Sequence, residues 1–178
     1  QGDTTWTKTF GGPERDKGYS VQQTSDSGYI ICGYTESFGN GSNGLSDVYL
    51  IKTDSLGDSI WTKTFGGIDD DKGHSVQQTN DGGYIITGST TSPGNGDENV
   101  YLIKTNTQGD TTWTKTFGGT DEDEGRSIQQ TYDGGYIICG RTESGSTYSG
   151  VYLIKTDSQG NVTSTFNIPI SSNRKLEK

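Results

Sequence analysis

Short apolar blocks recur along the chain and are separated by polar runs rich in glycine. GYIIC and VYLIKT are apolar at consecutive positions, whereas WTKTF alternates between large and small side chains. Continuous apolar runs of this length indicate strands that are buried on both faces, and alternation indicates a strand with one exposed face. The pattern therefore predicts an all-β protein with buried middle strands and half-exposed outer strands.

The same succession of blocks occurs three times. WTKTFGG begins at Trp6, Trp61 and Trp113, a spacing of 55 and then 52 residues. Each unit continues with SVQQT or SIQQT, then GYIIC or GYIIT, then VYLIKT, and its fourth block is the WTKTF of the next unit. Self-similarity at such a period is typical of repeat architectures. We assign a detached outer strand to residues 1–10, repeat 1 to 11–65, repeat 2 to 66–117, repeat 3 to 118–160 and a tail to 161–178.

The connections between the blocks predict antiparallel strands. SDSG, NDGG and YDGG separate the first and second blocks, and Asp-Gly between apolar runs is a strong hairpin signal. The linkers between the second and third blocks vary in length and are rich in Gly, Ser and Asn, which predicts solvent-facing loops. Four antiparallel strands with a buried middle describe a β-propeller blade. Three such blades, as half of a six-bladed propeller or as an open array, are the predicted fold, and a β-trefoil or β-prism is the alternative.

The order of the motifs also carries a resemblance. WTKTFGG, SVQQT, DGGYII and YLIKT follow one another in every unit with little change, and this pattern resembles the propeller-like repeats, of about 50–55 residues, of secreted bacterial surface proteins. SSNRKLEK in the tail resembles the start of a sorting domain of type IX secretion cargo whose body has been removed, and a vector-derived tail is the alternative. The resemblance implies a secreted protein of the extracellular space or cell surface, and Gln1 in place of Met fits a mature N-terminus.

Net charge, hydropathy and the two cysteines limit the classes of partner and of covalent cross-link. The net charge is -9 and the lysines are dispersed through strand motifs, which argues against nucleic acid as a partner. No apolar run is long enough to predict a membrane span. Cys32 and Cys139 occupy the same place in repeats 1 and 3, where we predict two small buried side chains. A disulfide would require their two strands to meet.

Catalysis is not predicted. The single histidine, His74, stands where the other repeats have Tyr19 and Arg126, and the chain contains no nucleophile or phosphate-binding motif. We therefore expect a non-enzymatic protein without an organic cofactor.

The acidic loop after WTKTFGG is the candidate metal site. Its carboxylates are two residues apart and precede a glycine, which suits Ca²⁺, but it lacks the distal bidentate glutamate of an EF-hand loop. We favour hydrogen bonds to backbone N–H groups of the turn, with Ca²⁺ as the alternative. The candidate ligands are Glu14, Asp16, Asp69, Asp71, Asp121 and Asp123.

Aromatic and hydroxyl residues give two further sets of candidates. The repeated tryptophan is predicted to pack between neighbouring sheets, so that the loop residues Tyr132 and Tyr148 are the better candidates for glycan binding. Several Asp-Ser and Asp-Thr pairs resemble O-glycosylation sites of bacteria that use this secretion route. The candidate acceptors are Thr4, Ser55, Ser59 and Thr111.

The distribution of strands predicts self-association. Repeat 3 lacks a good fourth strand, whereas the WTKTF at residues 6–10 is a fourth strand without a blade. Pairing between copies would satisfy both edges, as a homodimer that closes a six-bladed ring or as a head-to-tail filament. A structural or adhesive surface protein is the predicted function, and a glycan-binding module or a fragment of a longer multi-blade chain are the alternatives. The predicted contacts are Trp6, Thr7, Lys8, Thr9 and Phe10 on one side and Val151, Tyr152, Leu153, Ile154 and Lys155 on the other.

Overall fold

A computed structural model describes residues 2–39, 44–92, 97–145 and 148–162. Every regular element within these ranges is a β-strand, and none of the described residues forms a helix that could cross a membrane. The strands are β1 (Asp16–Gln23), β2 (Tyr29–Thr35), β3 (Asp47–Thr53), β4 (Ser59–Phe65), β5 (Asp71–Gln78), β6 (Tyr84–Thr90), β7 (Asn99–Thr105), β8 (Thr111–Phe117), β9 (Asp123–Gln130), β10 (Tyr136–Thr142) and β11 (Gly150–Thr156). The all-β prediction is confirmed.

The strands form three sheets, one for each repeat. The first sheet has the order β1-β2-β3-β4 and the second sheet β5-β6-β7-β8, with neighbouring strands antiparallel. The third sheet, within the described residues, contains only β9, β10 and β11. After β11 a single antiparallel bridge joins Thr156 to Val162. Two repeats thus form the predicted four-stranded unit, and the third forms its first three strands.

The first strand of each sheet is longer than the SVQQT block. It begins at Asp16, Asp71 or Asp123, so that the last acidic residue of each loop belongs to the strand. A register irregularity between Gly18 and Ser20 separates this extension from the rest of β1. The backbones approach closely there, since a Cβ on Gly33 would lie within 3.0 Å of the Lys17 carbonyl oxygen. The strand therefore depends on a glycine of its neighbour as well as on its own apolar pattern.

The apolar core lies between successive sheets. β3 and β6 are buried along their whole length, whereas β4 and β8 keep exposed positions, as their patterns predicted. Each core joins the middle strands of one sheet to the first three strands of the next. The core between the first and second sheets contains Ile30, Cys32, Val48, Leu50, Val76, Tyr84, Ile86 and Ile103, with Trp61 and Phe65 against it. The core between the second and third sheets contains Ile85, Val100, Leu102, Ile128, Tyr136, Ile138 and Ile154, with Trp113 and Phe117 against it.

The repeated glutamines connect the first strands of adjoining sheets. The backbone N–H of Gln78 donates to Gln22 Oε1 at 2.6 Å, and the N–H of Gln130 donates to Gln77 Oε1 at 2.6 Å. Side chain to backbone bonds of this kind satisfy groups that the sheet ladder leaves free. They place β1, β5 and β9 side by side, so that the three sheets follow one another in sequence order.

Candidate functional site

The N-terminal segment, residues 6–10, lies against the first sheet without joining it. These residues are described but form no strand. The Trp6 ring packs on Tyr29 with ring centroids 5.9 Å apart, and Lys8 Nζ lies 2.5 Å from Asp58 Oδ1. A Cβ on Gly57 would meet the Trp6 ring at 2.8 Å. The ring contact, the ion pair and the close approach of Trp6 to Gly57 therefore hold the segment against the first sheet.

The same contacts recur where an outer strand meets the next sheet. Trp61 of β4 packs on Tyr84 of the second sheet at 5.8 Å, and Lys63 Nζ lies 2.8 Å from Asp110 Oδ1. Trp113 of β8 packs in the same way on Tyr136 of the third sheet. Residues 6–10 thus occupy, relative to the first sheet, the position that an outer strand of a preceding sheet would occupy.

The face of the first sheet beneath this segment is open. Val21 is 64% exposed, whereas Val76, its equivalent in the second sheet, is 5% exposed. A cavity of about 320 Å³ separates the segment from the sheet and is lined by Trp6, Phe10, Val21 and Ile31 among others. In the interior interface the corresponding space holds side chains of β2 and β3. We call Val21, Tyr29 and Ile31 the open face of the first sheet.

The third sheet exposes apolar side chains at positions that are buried in the first sheet. Val151 and Leu153 of β11 are 83% and 65% exposed, whereas their equivalents Val48 and Leu50 are 1% and 0% exposed. Beyond β10, β11 has no strand partner within the described residues except the bridge at Thr156. We call the following residues the open face of the third sheet: Ile137, Cys139, Val151 and Leu153.

The cysteine prediction is wrong for one of the two residues. Cys32 is buried and Cys139 is exposed, and both are free. Burial raises the pKa of the Cys32 thiol. Cys139 occupies the same strand position, but no sheet of the described chain packs over it. Whether a thiol at this strand position is buried or exposed therefore depends on the presence of a neighbouring sheet.

The acidic loops form a repeated hydrogen-bonded motif. Asp16 Oδ2 accepts hydrogen bonds from the Gly12 N–H at 2.9 Å and from Ser37 Oγ at 2.8 Å, while the Glu14 N–H donates to the same hydroxyl. Asp71 with Ser92 and Asp123 with Ser144 repeat the arrangement. Among the described residues, no three carboxylate, histidine or cysteine side chains are grouped to hold a metal ion. The carboxylates named as candidate Ca²⁺ ligands, Asp69 and Asp121 included, belong to the hydrogen-bonded turn that we favoured or lie beside it.

The role of the serine in this motif was not predicted from the sequence. Ser37, Ser92 and Ser144 each close the loop that starts at the acidic residues, although they lie on the far side of β2, β6 or β10. The sequence does show that these serines are equivalent, because a threonine precedes each of them by two positions. Nothing in the local pattern indicates that this serine meets an aspartate about twenty residues earlier.

The pKa values of the equivalent residues Asp16 and Asp71 shift in opposite directions. Burial alone would raise the pKa of Asp16, but hydrogen bonds from Thr35, Gly12 and Ser37 together outweigh it and hold the pKa below its usual value. Asp71 is covered by the first sheet, and burial raises its pKa, with the nearby Asp47 acting in the same direction. The position of Asp47 is taken by Gly150 in repeat 3, so that the third sheet presents no second carboxylate there.

The aromatic residues proposed for glycan binding remain at the surface. Tyr132 is fully exposed in the turn between β9 and β10, and Tyr148 is 82% exposed. A separate groove of about 660 Å³ runs between the second and third sheets. Its lining includes Asn80, Trp113, Gln130, Tyr136 and Gln159. The two tyrosines and this groove do not form one site.

The predicted glycosylation acceptors are accessible. Thr4, Ser55, Ser59 and Thr111 are all exposed, and the last two begin β4 and β8. Modification at these positions stays a prediction. The tail motif at 163–178 lies outside the described residues.

Comparison with known proteins gives one distant similarity. No family model matches the chain. The chain is 27% identical over 138 residues to the regulatory protein FlaEY of Caulobacter vibrioides, a match that covers 70% of this chain and 14% of that protein. The chain therefore spans only a small part of the length of the relative that it matches.

Proposed function

We propose that the chain is a non-enzymatic structural protein that self-associates head to tail. In this arrangement the three sheets are propeller-type blades, and the N-terminal segment of one copy supplies the outer strand for the third sheet of another. The observation that carries the proposal is the position of residues 6–10, which rest on the first sheet as β4 rests on the second. A location at the cell surface, with a structural or adhesive role, belongs to the same proposal.

The register of the new strand pair follows from the interior pairs. Val48 pairs with Phe65, Leu50 with Lys63 and Lys52 with Trp61. The equivalent pairs between copies join Val151 to Phe10, Leu153 to Lys8 and Lys155 to Trp6. Thr156 already pairs with Val162 of its own chain, so the added strand extends only from Lys155 back to Val151.

The apolar faces supply the free energy for this contact. Full burial of an aliphatic side chain such as Val151, Leu153 or Val21 stabilises by about 1.5–3 kcal/mol, against which stands the loss of translational and rotational freedom on association. An added strand also satisfies the free N–H and C=O groups of an edge. The same contact between sheets is already made twice inside the chain.

Gly18 allows a test that separates association from folding. A Cβ on its equivalent Gly73 would lie within 3.0 Å of Cys32 Sγ and Val48 Cγ1 of the preceding sheet, whereas a Cβ on Gly18 meets only Ile31 Cγ2, at 3.6 Å. Gly18→Ala should therefore fold normally and weaken association at least tenfold, because the added methyl group would collide with Cys139 and Val151 of a second copy. Sedimentation velocity over a concentration series measures the association.

Two further samples complete this experiment. Gly73→Ala should lower the melting temperature, because there the same methyl group enters the interface between the first and second sheets of one chain. Deletion of residues 1–10 should abolish association and leave the three sheets folded. A monomeric unmodified chain at every concentration, or a Gly18→Ala chain that associates as well as the unmodified one, would overturn the proposal.

A longer chain could make the same contact within one molecule. The FlaEY protein is much longer than the match, and further repeats in a single polypeptide would cover the open faces in the way that a second copy does. The length of the full gene distinguishes these cases, and association of the 178-residue chain itself supports contact between copies.

A further inference from the structure

We infer that the third sheet is fitted to the first sheet of a second copy by two residue pairs that occur at no interface within one chain. The pairs are Tyr132 with Leu56, and Arg126 with Tyr19. This inference rests on the proposed self-association and names the residues that make the contact between copies differ from the two interior contacts.

The first pair belongs to the groove that runs between neighbouring sheets. Between the second and third sheets the groove is lined by Asn80 from one sheet and Gln159 from the other. Asn80 is fixed beside the third sheet, because its N–H donates to Gln130 Oε1 at 2.9 Å. The equivalent residues between the first and second sheets are Ser25 and Gln108. Both interior grooves thus have polar residues at these two positions.

At the contact between copies both positions become apolar. Tyr132 of the third sheet is the equivalent of Asn80, and Leu56 of the first sheet is the equivalent of Gln159. In the single chain Tyr132 is fully exposed and Leu56 is 63% exposed. At the proposed contact these two exposed side chains would lie against each other, and a tyrosine ring is well suited to the core of an interface.

The second pair lies along the first strands of the sheets. Tyr19 of β1 meets His74 of β5 with ring centroids 5.5 Å apart, and His74 Nδ1 lies 3.0 Å from the Gly125 carbonyl oxygen beside Arg126. Tyr19, His74 and Arg126 stand at equivalent positions in the three sheets. If the first sheet of a second copy packs on the third sheet in the same way, Arg126 lies against the Tyr19 ring of that copy. Arg126 is exposed, and Tyr19 is 51% exposed. A guanidinium group over a tyrosine ring is a favourable contact.

The test is a double-mutant cycle on the apolar pair. Tyr132→Asn and Leu56→Gln introduce the residue types of Asn80 and Gln159, which occupy the equivalent positions in the groove between the second and third sheets. Each should weaken association about three- to tenfold, and the two together should weaken it by less than the product of the single effects, because they remove one shared contact. Dissociation constants come from sedimentation velocity, with the melting temperature of each dilute variant as the check on folding. Arg126→Ala and Tyr19→Ala form a second cycle with the same expectation.

The control variant is Ile68→Thr. Ile68 is 73% exposed in repeat 2, and repeat 3 has Thr120 at the equivalent position, so that its loss should leave association unchanged. Independent, multiplicative effects of Tyr132→Asn and Leu56→Gln, or no effect of either, would overturn the inference. If Gly18→Ala still weakened association at least tenfold in that case, the proposed self-association would stand. Glycan binding that depends on Tyr132, with association unaffected, would likewise overturn the inference and assign this tyrosine to a ligand.

Discussion

At the scale of single residues, Ser27 departs from the pattern of the repeats. It has a φ of 68°, and it is the one residue other than glycine with a positive φ among those the structure describes. The equivalent residues Gly82 and Gly134 both have a φ of 82°. A side chain in this left-handed region is strained, so the first hairpin holds a conformation that the other two adopt freely.

Ser27→Gly should therefore stabilise the protein. Relief of the left-handed strain outweighs the added backbone entropy of glycine, and we expect a gain of about 0.5–1 kcal/mol in the free energy of unfolding. Chemical denaturation of dilute protein in a Gly18→Ala background, where we expect weakened association, measures the change. Gly134→Ser is the matched reverse variant, because a Cβ there meets nothing within 4 Å, and it should destabilise by a similar amount. Equal stability of all three chains would contradict the strain argument.

At the scale of elements, an ion pair ties each hairpin turn to the third strand of its sheet. Lys52 Nζ lies 2.9 Å from Asp26 Oδ2 and also donates to the Thr53 carbonyl oxygen at 2.7 Å. Lys104 with Asp81 and Lys155 with Asp133 repeat the pair. The lysine side chain of β3 is almost wholly buried, whereas the Asp26 carboxylate remains half-exposed. The lysine of YLIKT is thus a structural cation as well as a strand residue.

These pairs predict a specific loss of stability in acid. Hydrogen bonds from the Thr24 hydroxyl and the Lys52 ammonium lower the pKa of Asp26 to about 2. The ordinary pKa of an aspartate is 3.8. The stability that the ionised Asp26 contributes to the fold is therefore fully present above pH 3.8 and is lost as the pH falls toward 2. The melting temperature of Asp26→Asn should fall less than that of the unmodified chain on acidification, by about 1–2 °C because the carboxylate is exposed. The control is Asp97→Asn, in an exposed loop, whose melting temperature should depend on pH as that of the unmodified chain does. The same pH dependence in Asp26→Asn, Asp97→Asn and the unmodified chain would refute the stabilising role of the Asp26 ion pair.

The apolar blocks predicted the elements better than their edges. GYIIC, VYLIKT and WTKTF became strands because continuous or alternating apolar residues specify which faces a strand buries. The start of β1 at Asp16 was missed because it depends on the glycine of β2 that faces Lys17. The bond between Asp16 and Ser37 was missed because the two meet only after β1 and β2 pair. Cys139 was misassigned because its exposure depends on a neighbouring sheet, which the pattern of its own strand does not encode.

At the scale of the whole molecule, the proposed self-association joins two unlike surfaces. The third sheet exposes Val151 and Leu153 of β11, and the first sheet exposes Val21 beneath the N-terminal segment, which is not part of that sheet. A contact between two different surfaces is heterologous, so it forms a ring if the rotation closes and a filament if it does not. Cys139 lies within one of these surfaces and provides a chemical probe of the contact.

Thiol labelling should follow association. Cys139 is exposed in the single chain and Cys32 is buried, so a maleimide should modify Cys139 alone in dilute protein. In concentrated protein the labelling rate should fall at least tenfold, because Cys139 then faces Gly18 of a second copy, and labelled chains should no longer associate. Mass spectrometry of digested protein locates the label, and Cys139→Ser serves as the control. Labelling at the same rate in associated and dilute protein would contradict this orientation of the sheets.

The two unlike surfaces would also give the proposed assembly a direction. A Gly18→Ala copy has a blocked first sheet, but its third sheet remains able to accept the N-terminal segment of a normal copy. Such a copy could join one end of a growing filament and leave the other end free to extend. A chain without residues 1–10 likewise keeps its third sheet. Small amounts of either variant would therefore set the length distribution of filaments formed by normal copies, acting as terminators of one polarity.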